Sequence, residues 1–250
     1  MNRVERGLPW RAAIVQAIRP EVPGVATLVL RVAGWPSHRA GQHVDLRLTA
    51  EDGYQAQRSY SIASAPDGEA VELTVEQVPD GEVSTFLLED ARIGDRLELR
   101  GPIGGYFVWE PGDPSPTLLV AGGSGVVPLM AMLRARERRG DGALVRLLYS
   151  ARSVDALIYR EELDRLAACD NGPTVTYALT RKQPEGWTGE VRRIDRAMLA
   201  ARGFAADVTP RAYVCGPTPL VEQVATDLVA LGYDPARVRT ERFGPSGGEP

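Results

Sequence analysis

The sequence predicts a β + α/β chain, in which an N-terminal antiparallel β-barrel is followed by a C-terminal doubly wound parallel sheet. Three observations predict it. The first hundred residues break into short runs of alternating or β-branched apolar residues, separated by turn clusters. The second half alternates continuous apolar runs with amphipathic stretches of helical period, the grammar of a parallel sheet covered by helices. Between the two, Glu110-Pro111-Gly112-Asp113-Pro114-Ser115-Pro116 puts three prolines and a glycine into seven residues, which can continue neither a strand nor a helix. The expected domains are therefore 1–112 and 113–250.

The barrel strands are expected at Ala12 to Ile18, Val25 to Val32, His43 to Leu48, Arg58 to Ile62, Val71 to Val78 and Arg96 to Leu99. Glu21-Val22-Pro23-Gly24, Ala50 to Gly53 and Ala65-Pro66-Asp67-Gly68 supply the Gly, Pro or Asp that tight reversals need. After Pro79-Asp80-Gly81, the run Val83 to Leu88 has helical spacing, so a short helix is expected to begin near Ser84. In the second half, strands are expected at Thr117 to Ala121, Leu144 to Tyr149, Val175 to Leu179, Ala212 to Cys215 and Val238 to Arg242. Helices are expected at Pro128 to Arg139, Tyr159 to Ala168 and Leu220 to Leu231.

Composition narrows the function. At 250 residues, 44% hydrophobic and 25% charged, the chain has the make-up of a globular protein, with no apolar stretch long enough for a membrane helix. The opening MNRVERGLPWR lacks an apolar signal core, and a cytoplasmic location is the expectation. Cys169 and Cys215 are the only cysteines and His38 and His43 the only histidines, so neither a metal site nor a protein-borne iron-sulfur cluster is expected. A net charge of −4 argues against nucleic acid as a partner. Lys182 is the only lysine among 29 basic residues, so nearly all positive charge is guanidinium, suited to bidentate phosphate contacts.

Two motifs stand where chemistry is expected. Val120-Ala121-Gly122-Gly123-Ser124-Gly125-Val126-Val127-Pro128 falls where a first strand turns into a first helix. There, glycines allow close backbone approach to a pyrophosphate and the helix N-terminus favours the anion. Pro128 replaces the third glycine of the usual fingerprint, which a first helical turn tolerates. In the first half, Arg58-Ser59-Tyr60-Ser61 places Arg58 and Tyr60 on one face of a strand, a guanidinium for a phosphate beside a ring for a flat heterocycle. Each alone also reads as ordinary structure, a Gly-rich turn or a barrel surface.

Their order carries more. Arg58 to Ser61, Gly81-Glu82-Val83-Ser84, Gly101-Pro102-Ile103-Gly104, Gly122 to Pro128 and Val214-Cys215-Gly216-Pro217 follow one another along the chain. From about Trp10 to Phe243 this set resembles the ferredoxin-NADP reductase family, above all the reductase modules that serve bacterial oxygenases.

The resemblance implies that Arg58 contacts the FAD pyrophosphate, Tyr60 stacks on the isoalloxazine and Ser61 hydrogen-bonds near flavin N5. It implies that the amides of Gly81, Val83 and Ser84 close on the same pyrophosphate, and that an aromatic of Gly105-Tyr106-Phe107 lies beside the flavin. Gly122, Gly123, Ser124, Gly125 and Pro128 become the nicotinamide dinucleotide loop, and Cys215, Gly216 and Pro217 sit by the nicotinamide. Glu241 and Phe243 belong to a closing segment at the flavin face, with Tyr60, Ser61, Cys215 and Glu241 as the catalytic set. At the ends of the second and third strands, Ser150, Arg152 and Arg181 favour the 2′-phosphate of NADPH, with NADH possible. The implied reaction passes a hydride from NADPH to FAD and electrons onward to a separate acceptor protein, a ferredoxin, haem protein or oxygenase component, because no cysteine-rich module is visible. The alternatives are a flavin reductase supplying reduced flavin to a monooxygenase, and a non-catalytic redox sensor.

Overall fold

The computed structural model describes residues 7–66, 70–109, 112–140 and 142–243. The chain divides into two compact units, Met1–Trp109 with Met130–Ala135, and Glu110–Leu129 with Arg136–Pro250.

The first unit is built on six antiparallel strands: β1 (Trp10–Val22), β2 (Val25–Val32), β3 (His43–Thr49), β4 (Gln55–Ser61), β5 (Ala70–Glu76) and β6 (Arg96–Ile103). Their order is β4-β3-β6-β1-β2-β5, and Ile62, just past β4, bridges Leu73 of β5, so the two outer strands meet. Alternate residues fill the interior, with Leu28, Leu30, Val44, Leu46, Ile62, Leu73 and Leu99 in one core. Pro23-Gly24, with Gly24 at φ 75, makes the two-residue turn between β1 and β2.

Two strands run further than the sequence suggests. Turn residues alone do not end β1, which continues through Pro20 because a register irregularity between Pro20 and Val22 absorbs the missing N–H. Strand β6 runs past Leu99 through Gly101 and Pro102 to Ile103, where a break in register against β3 accommodates the same defect. Conversely β5 stops at Glu76 and leaves Val78 exposed. The short helix α1 (Glu82–Thr85) starts near Ser84 as expected and widens into a π-turn over Phe86–Asp90.

The second unit is a five-stranded parallel sheet, β7 (Thr117–Gly122), β8 (Val145–Ala151), β9 (Thr174–Leu179), β10 (Arg211–Pro217) and β11 (Val238–Phe243), in the order β11-β10-β7-β8-β9. All of β7 is buried, as a central strand covered on both faces must be. Helices α2 (Val126–Arg139), α3 (Arg160–Ala167), α4 (Arg196–Arg202) and α5 (Thr218–Ala230) connect the strands. Helix α4 is not among the sequence expectations. Its signal is present nonetheless: the Asp195 carboxylate caps the helix by accepting from the Met198 amide at 2.8 Å, and Met198 and Leu199 enter a core with Val120, Val214, Val221 and Leu228.

Among the described residues no helix is long and apolar enough to cross a membrane. The expected turn at Ala65 to Gly68 lies partly outside the described residues, as do Glu110 and Pro111 of the linker and the tail from Gly244 onward.

Candidate functional site

In the first unit the candidate residues converge on β4 and α1, which pack against each other. Strand β4 pairs with β3 along its whole length, Arg58 opposite Leu46 and Tyr60 opposite Val44. Arg58 and Tyr60 therefore share a face, as period two requires. The Arg58 guanidinium is exposed, and among the described residues its only partner is the carbonyl of its neighbour Gln57 at 2.7 Å. Tyr60 is half-buried against the barrel core, and burial pushes its hydroxyl pKa up to about 12 against the opposing pull of Arg58. Ser61 is buried and its Oγ has no hydrogen-bond partner among the described residues. An unsatisfied buried hydroxyl costs about 1–3 kcal/mol, so this one is a standing demand for a ligand or water.

Across from β4, Gly81 caps α1 and Val83 is buried. The first-turn amides of such a helix lack intrahelical acceptors. The Ser84 hydroxyl is engaged internally, accepting from the Val78 amide at 3.1 Å and donating to the Gly81 carbonyl at 3.1 Å, so only its backbone is available to an anion. A free-standing guanidinium, a sheltered ring, an orphaned hydroxyl and a short helix start fit a flavin with a diphosphate. After β6, Gly104 takes φ 97, the Phe107 ring is buried and Tyr106 is 61% exposed, so Tyr106 is the aromatic open to a ligand.

Three residues without a place in the motif reading hold this strand. Gln42 accepts from the Arg39 amide at 2.7 Å and donates to the Gly104 carbonyl at 2.7 Å, while its own carbonyl receives the Ile62 amide at 3.0 Å. His38 is buried, accepts from Trp35 Nε1 at Nδ1 and so donates from Nε2 to the Ser64 carbonyl at 3.1 Å. Burial lowers its pKa, which keeps it neutral. Asp45, buried behind β4, accepts from Ser59 at 2.7 Å and pairs with Arg100 at 2.6 Å. The sequence signal for Gln42 and Asp45 is a polar residue at or in strand β3, too common to single out, and His38 stands out only as one of two histidines.

In the second unit the candidates gather at the C-terminal ends of the strands, where open α/β sheets place ligands. Gly123–Gly125 forms a 3-10 turn between β7 and α2, and Pro128 lies in the first turn of that helix. The glycines divide by role. A Cβ on Gly125 would collide with the Cys215 carbonyl, and one on Gly122 would meet Pro217 at 3.0 Å and Leu220 at 3.3 Å, so both are demanded by packing against β10 and α5. Gly123, at φ 55, has nothing near its would-be Cβ and is the turn's open, left-handed position. Ser124 is half-buried beside it. Gly216 packs on Gly122, with its would-be Cβ 3.0 Å from the Gly122 amide nitrogen, and Pro217 precedes α5.

Cys215 and Glu241 face each other in register on β10 and β11, and Phe243 is in register with Pro217. Cys215 is fully buried, and burial first, then the neighbouring Glu241, pushes its thiol well above the ordinary range. It is a neutral thiol rather than a thiolate nucleophile. Burial likewise pushes Glu241 up to about 7, and its Oε2 is sheltered without a partner among the described residues. Such a carboxyl can hold or release a proton near neutral pH.

Strands β8 and β9 end side by side, with the Arg181 and Lys182 amides both donating to the Arg152 carbonyl at 3.0 Å. Arg152 and Arg181 are exposed and, among the described residues, neither has a carboxylate partner. Ser150 is buried and Asp155 lies exposed in the following 3-10 turn.

Comparison with known proteins agrees with this division. Residues 26–108 match the model of the oxidoreductase FAD-binding domain and residues 119–226 that of the oxidoreductase NAD-binding domain. The chain is 36% identical over 248 residues to ferredoxin–NADP reductase B of Sorangium cellulosum, covering 94% of this chain and 98% of that one. It is 34% identical over 206 residues to NADH-cytochrome b5 reductase 1 of Emericella nidulans, covering 79% of this chain and 65% of that one. The flavohem-like FAD/NAD-binding domain of nitric oxide dioxygenase from Vibrio cholerae superposes with a TM-score of 0.82 at 26% identity, over 94% of this chain and 99% of that one. The chain belongs to the ferredoxin–NADP reductase family and is an FAD-dependent NAD(P)H oxidoreductase that passes electrons to a separate acceptor.

Proposed function

We propose that this reductase oxidises NADPH in preference to NADH, holds its FAD as a resident group and delivers electrons to a ferredoxin, a haem protein or an oxygenase component in the cytoplasm. The observation that carries the flavin assignment is the buried Ser61 hydroxyl, which has no hydrogen-bond partner among the described residues, on the strand that also carries the half-buried Tyr60 ring and the exposed Arg58 guanidinium. In this reading residues 1–112 bind FAD and 113–250 bind the nicotinamide dinucleotide.

Bound FAD supplies the two-electron chemistry, accepting hydride at the flavin. The protein's part is to bind and orient. Arg58 offers a charge-assisted contact to the diphosphate, joined by the amides of Gly81, Val83 and Ser84. Tyr60 would offer its ring to the isoalloxazine, and Ser61 would offer its hydroxyl to the flavin. In the second unit Gly123 and Ser124 would present the turn to the second pyrophosphate, while Gly122, Gly125, Gly216 and Pro217 fix its shape and Pro128 ends it. Cys215 would offer neutral sulfur to the nicotinamide, with Glu241 holding a proton at Oε2 and Phe243 closing beside it. Arg152 and Arg181 favour the 2′-phosphate, with Ser150 beneath them.

Anaerobic titration of the FAD-loaded protein tests the nucleotide preference. Bleaching of the visible flavin band at lower NADPH than NADH is expected, and Arg152→Ala should raise the NADPH requirement about tenfold or more, the worth of one charged hydrogen bond. Equal titration by both nucleotides would remove the arginines from the site.

A further inference from the structure

The motif at the start of α1 contains an acid where an anion is to be held. Glu82 is the first residue of that helix, in the turn whose amides are assigned to the diphosphate, and α1 packs on the strand that carries Arg58. A carboxylate in an element packed on the Arg58 strand could pair with that guanidinium, yet Arg58 has no carboxylate partner among the described residues. Glu82 is instead held by Tyr54, whose hydroxyl donates to Glu82 Oε2 at 3.0 Å.

Tyr54 stands at the mouth of β4 and is fixed there by its turn. Its amide donates to Asp52 Oδ1 at 3.0 Å, and its carbonyl receives the Ala50 amide at 2.9 Å. Tyr54 immediately precedes β4, three residues before Gln57 and four before Arg58. The Arg58 charge is felt at the Tyr54 hydroxyl, where it opposes the upward pull of Glu82 on the phenol pKa.

We propose that Tyr54 is a positioning residue for flavin retention: its hydroxyl ties up Glu82, so that the carboxylate neither neutralises Arg58 nor faces the diphosphate, and the guanidinium stays available to FAD. The inference rests on the assignment of Arg58 to the diphosphate. It deepens that assignment by naming what keeps an acid within the phosphate turn from competing with it.

The test is a set of FAD dissociation constants, measured on apoprotein by flavin fluorescence, for wild type, Tyr54→Phe, Tyr54→Ala, Glu82→Gln and the Tyr54→Phe/Glu82→Gln pair. Thermal unfolding of each apoprotein serves as the check on folding. Tyr54→Phe should weaken FAD about three- to tenfold, the factor of one hydrogen bond. Glu82→Gln should bind at least as tightly as wild type, and the double variant should return to the level of Glu82→Gln, because with no carboxylate the hydroxyl has nothing to restrain. A merely structural hydroxyl would give no such rescue. The proposal is overturned if Tyr54→Phe binds as wild type while Tyr54→Ala does not, which would assign the effect to the ring, or if the double variant stays as weak as Tyr54→Phe. Arg58→Ala separates the two layers of the argument. Unchanged FAD affinity in that variant defeats the flavin assignment itself, whereas weakened affinity there with no effect of Tyr54→Phe defeats only the role given to Tyr54.

Discussion

In the barrel unit the chemistry-bearing candidates are side chains of one strand, with Arg58 exposed, Tyr60 packed on the core and Ser61 buried on the opposite face of β4. In the α/β unit they are largely backbone: Gly122, Gly125 and Gly216 stack turn upon strand so closely that two of the three leave no room for a methyl without displacing main chain. The difference teaches that the two units fail differently. A side chain in the first can be removed with the fold intact, while a glycine in the second shapes the site and the sheet end together.

The sharpest way to break that comparison is at Gly125. Gly125→Ala drives a Cβ into the Cys215 carbonyl and should cost about 3 kcal/mol of stability, the upper range for overpacking, together with nicotinamide binding. Gly123→Ala, with open space around it, should cost only about 1 kcal/mol, the strain of a left-handed residue. Paired thermal melts and nucleotide titrations check both, and equal stability of the two variants would erase the distinction between packing glycine and open glycine.

A second effect, confined to a pH window and at most of comparable size, follows from Glu241. Its folded pKa is raised to about 7 from an ordinary 4.5, so between those values the unfolded chain has released a proton that the folded protein retains. Stability is therefore fully present below pH 4.5 and is lost as pH rises toward 7, by up to about 3 kcal/mol. Glu241→Gln should flatten this limb and melt higher than wild type above pH 7. A melting profile of that variant parallel to wild type across the window would show the carboxyl to be solvated.

The smallest effect concerns the thiols. Cys169 is exposed and Cys215 buried and protonated, so an alkylating reagent should label one thiol in the native protein and two after denaturation. Rapid native labelling of both would contradict the closed end of β10.

How far the sequence revealed this depends on the range of the interactions. The strand carrying Arg58 and Tyr60 was legible because period two is a local property, and the β7 turn because a glycine cluster between an apolar run and a helix is local too. The division of labour among the glycines was not, since it depends on Cys215, Pro217 and Leu220, roughly a hundred residues away in the chain. Gln42, His38 and Asp45 escaped for the same reason: their partners Gly104, Ser64 and Arg100 are distant in sequence. The ends of β1 and β6 lie beyond the alternating apolar runs, because strand pairing with register irregularities carries them through Pro20 and Pro102. Helix α4 was overlooked although Asp195 announces it, a seven-residue helix being too short for its period to stand out.

The account turns on β4 as the flavin strand, and the most direct test is the FAD dissociation constant of Arg58→Ala set beside the melting temperature of its apoprotein. Among the described residues the guanidinium bonds only the Gln57 carbonyl, so the apoprotein should melt as wild type does, while FAD affinity falls about ten- to a hundredfold with the loss of a charged contact. Wild-type affinity in a variant that melts normally would show that the diphosphate is held elsewhere and that β4 is ordinary barrel surface.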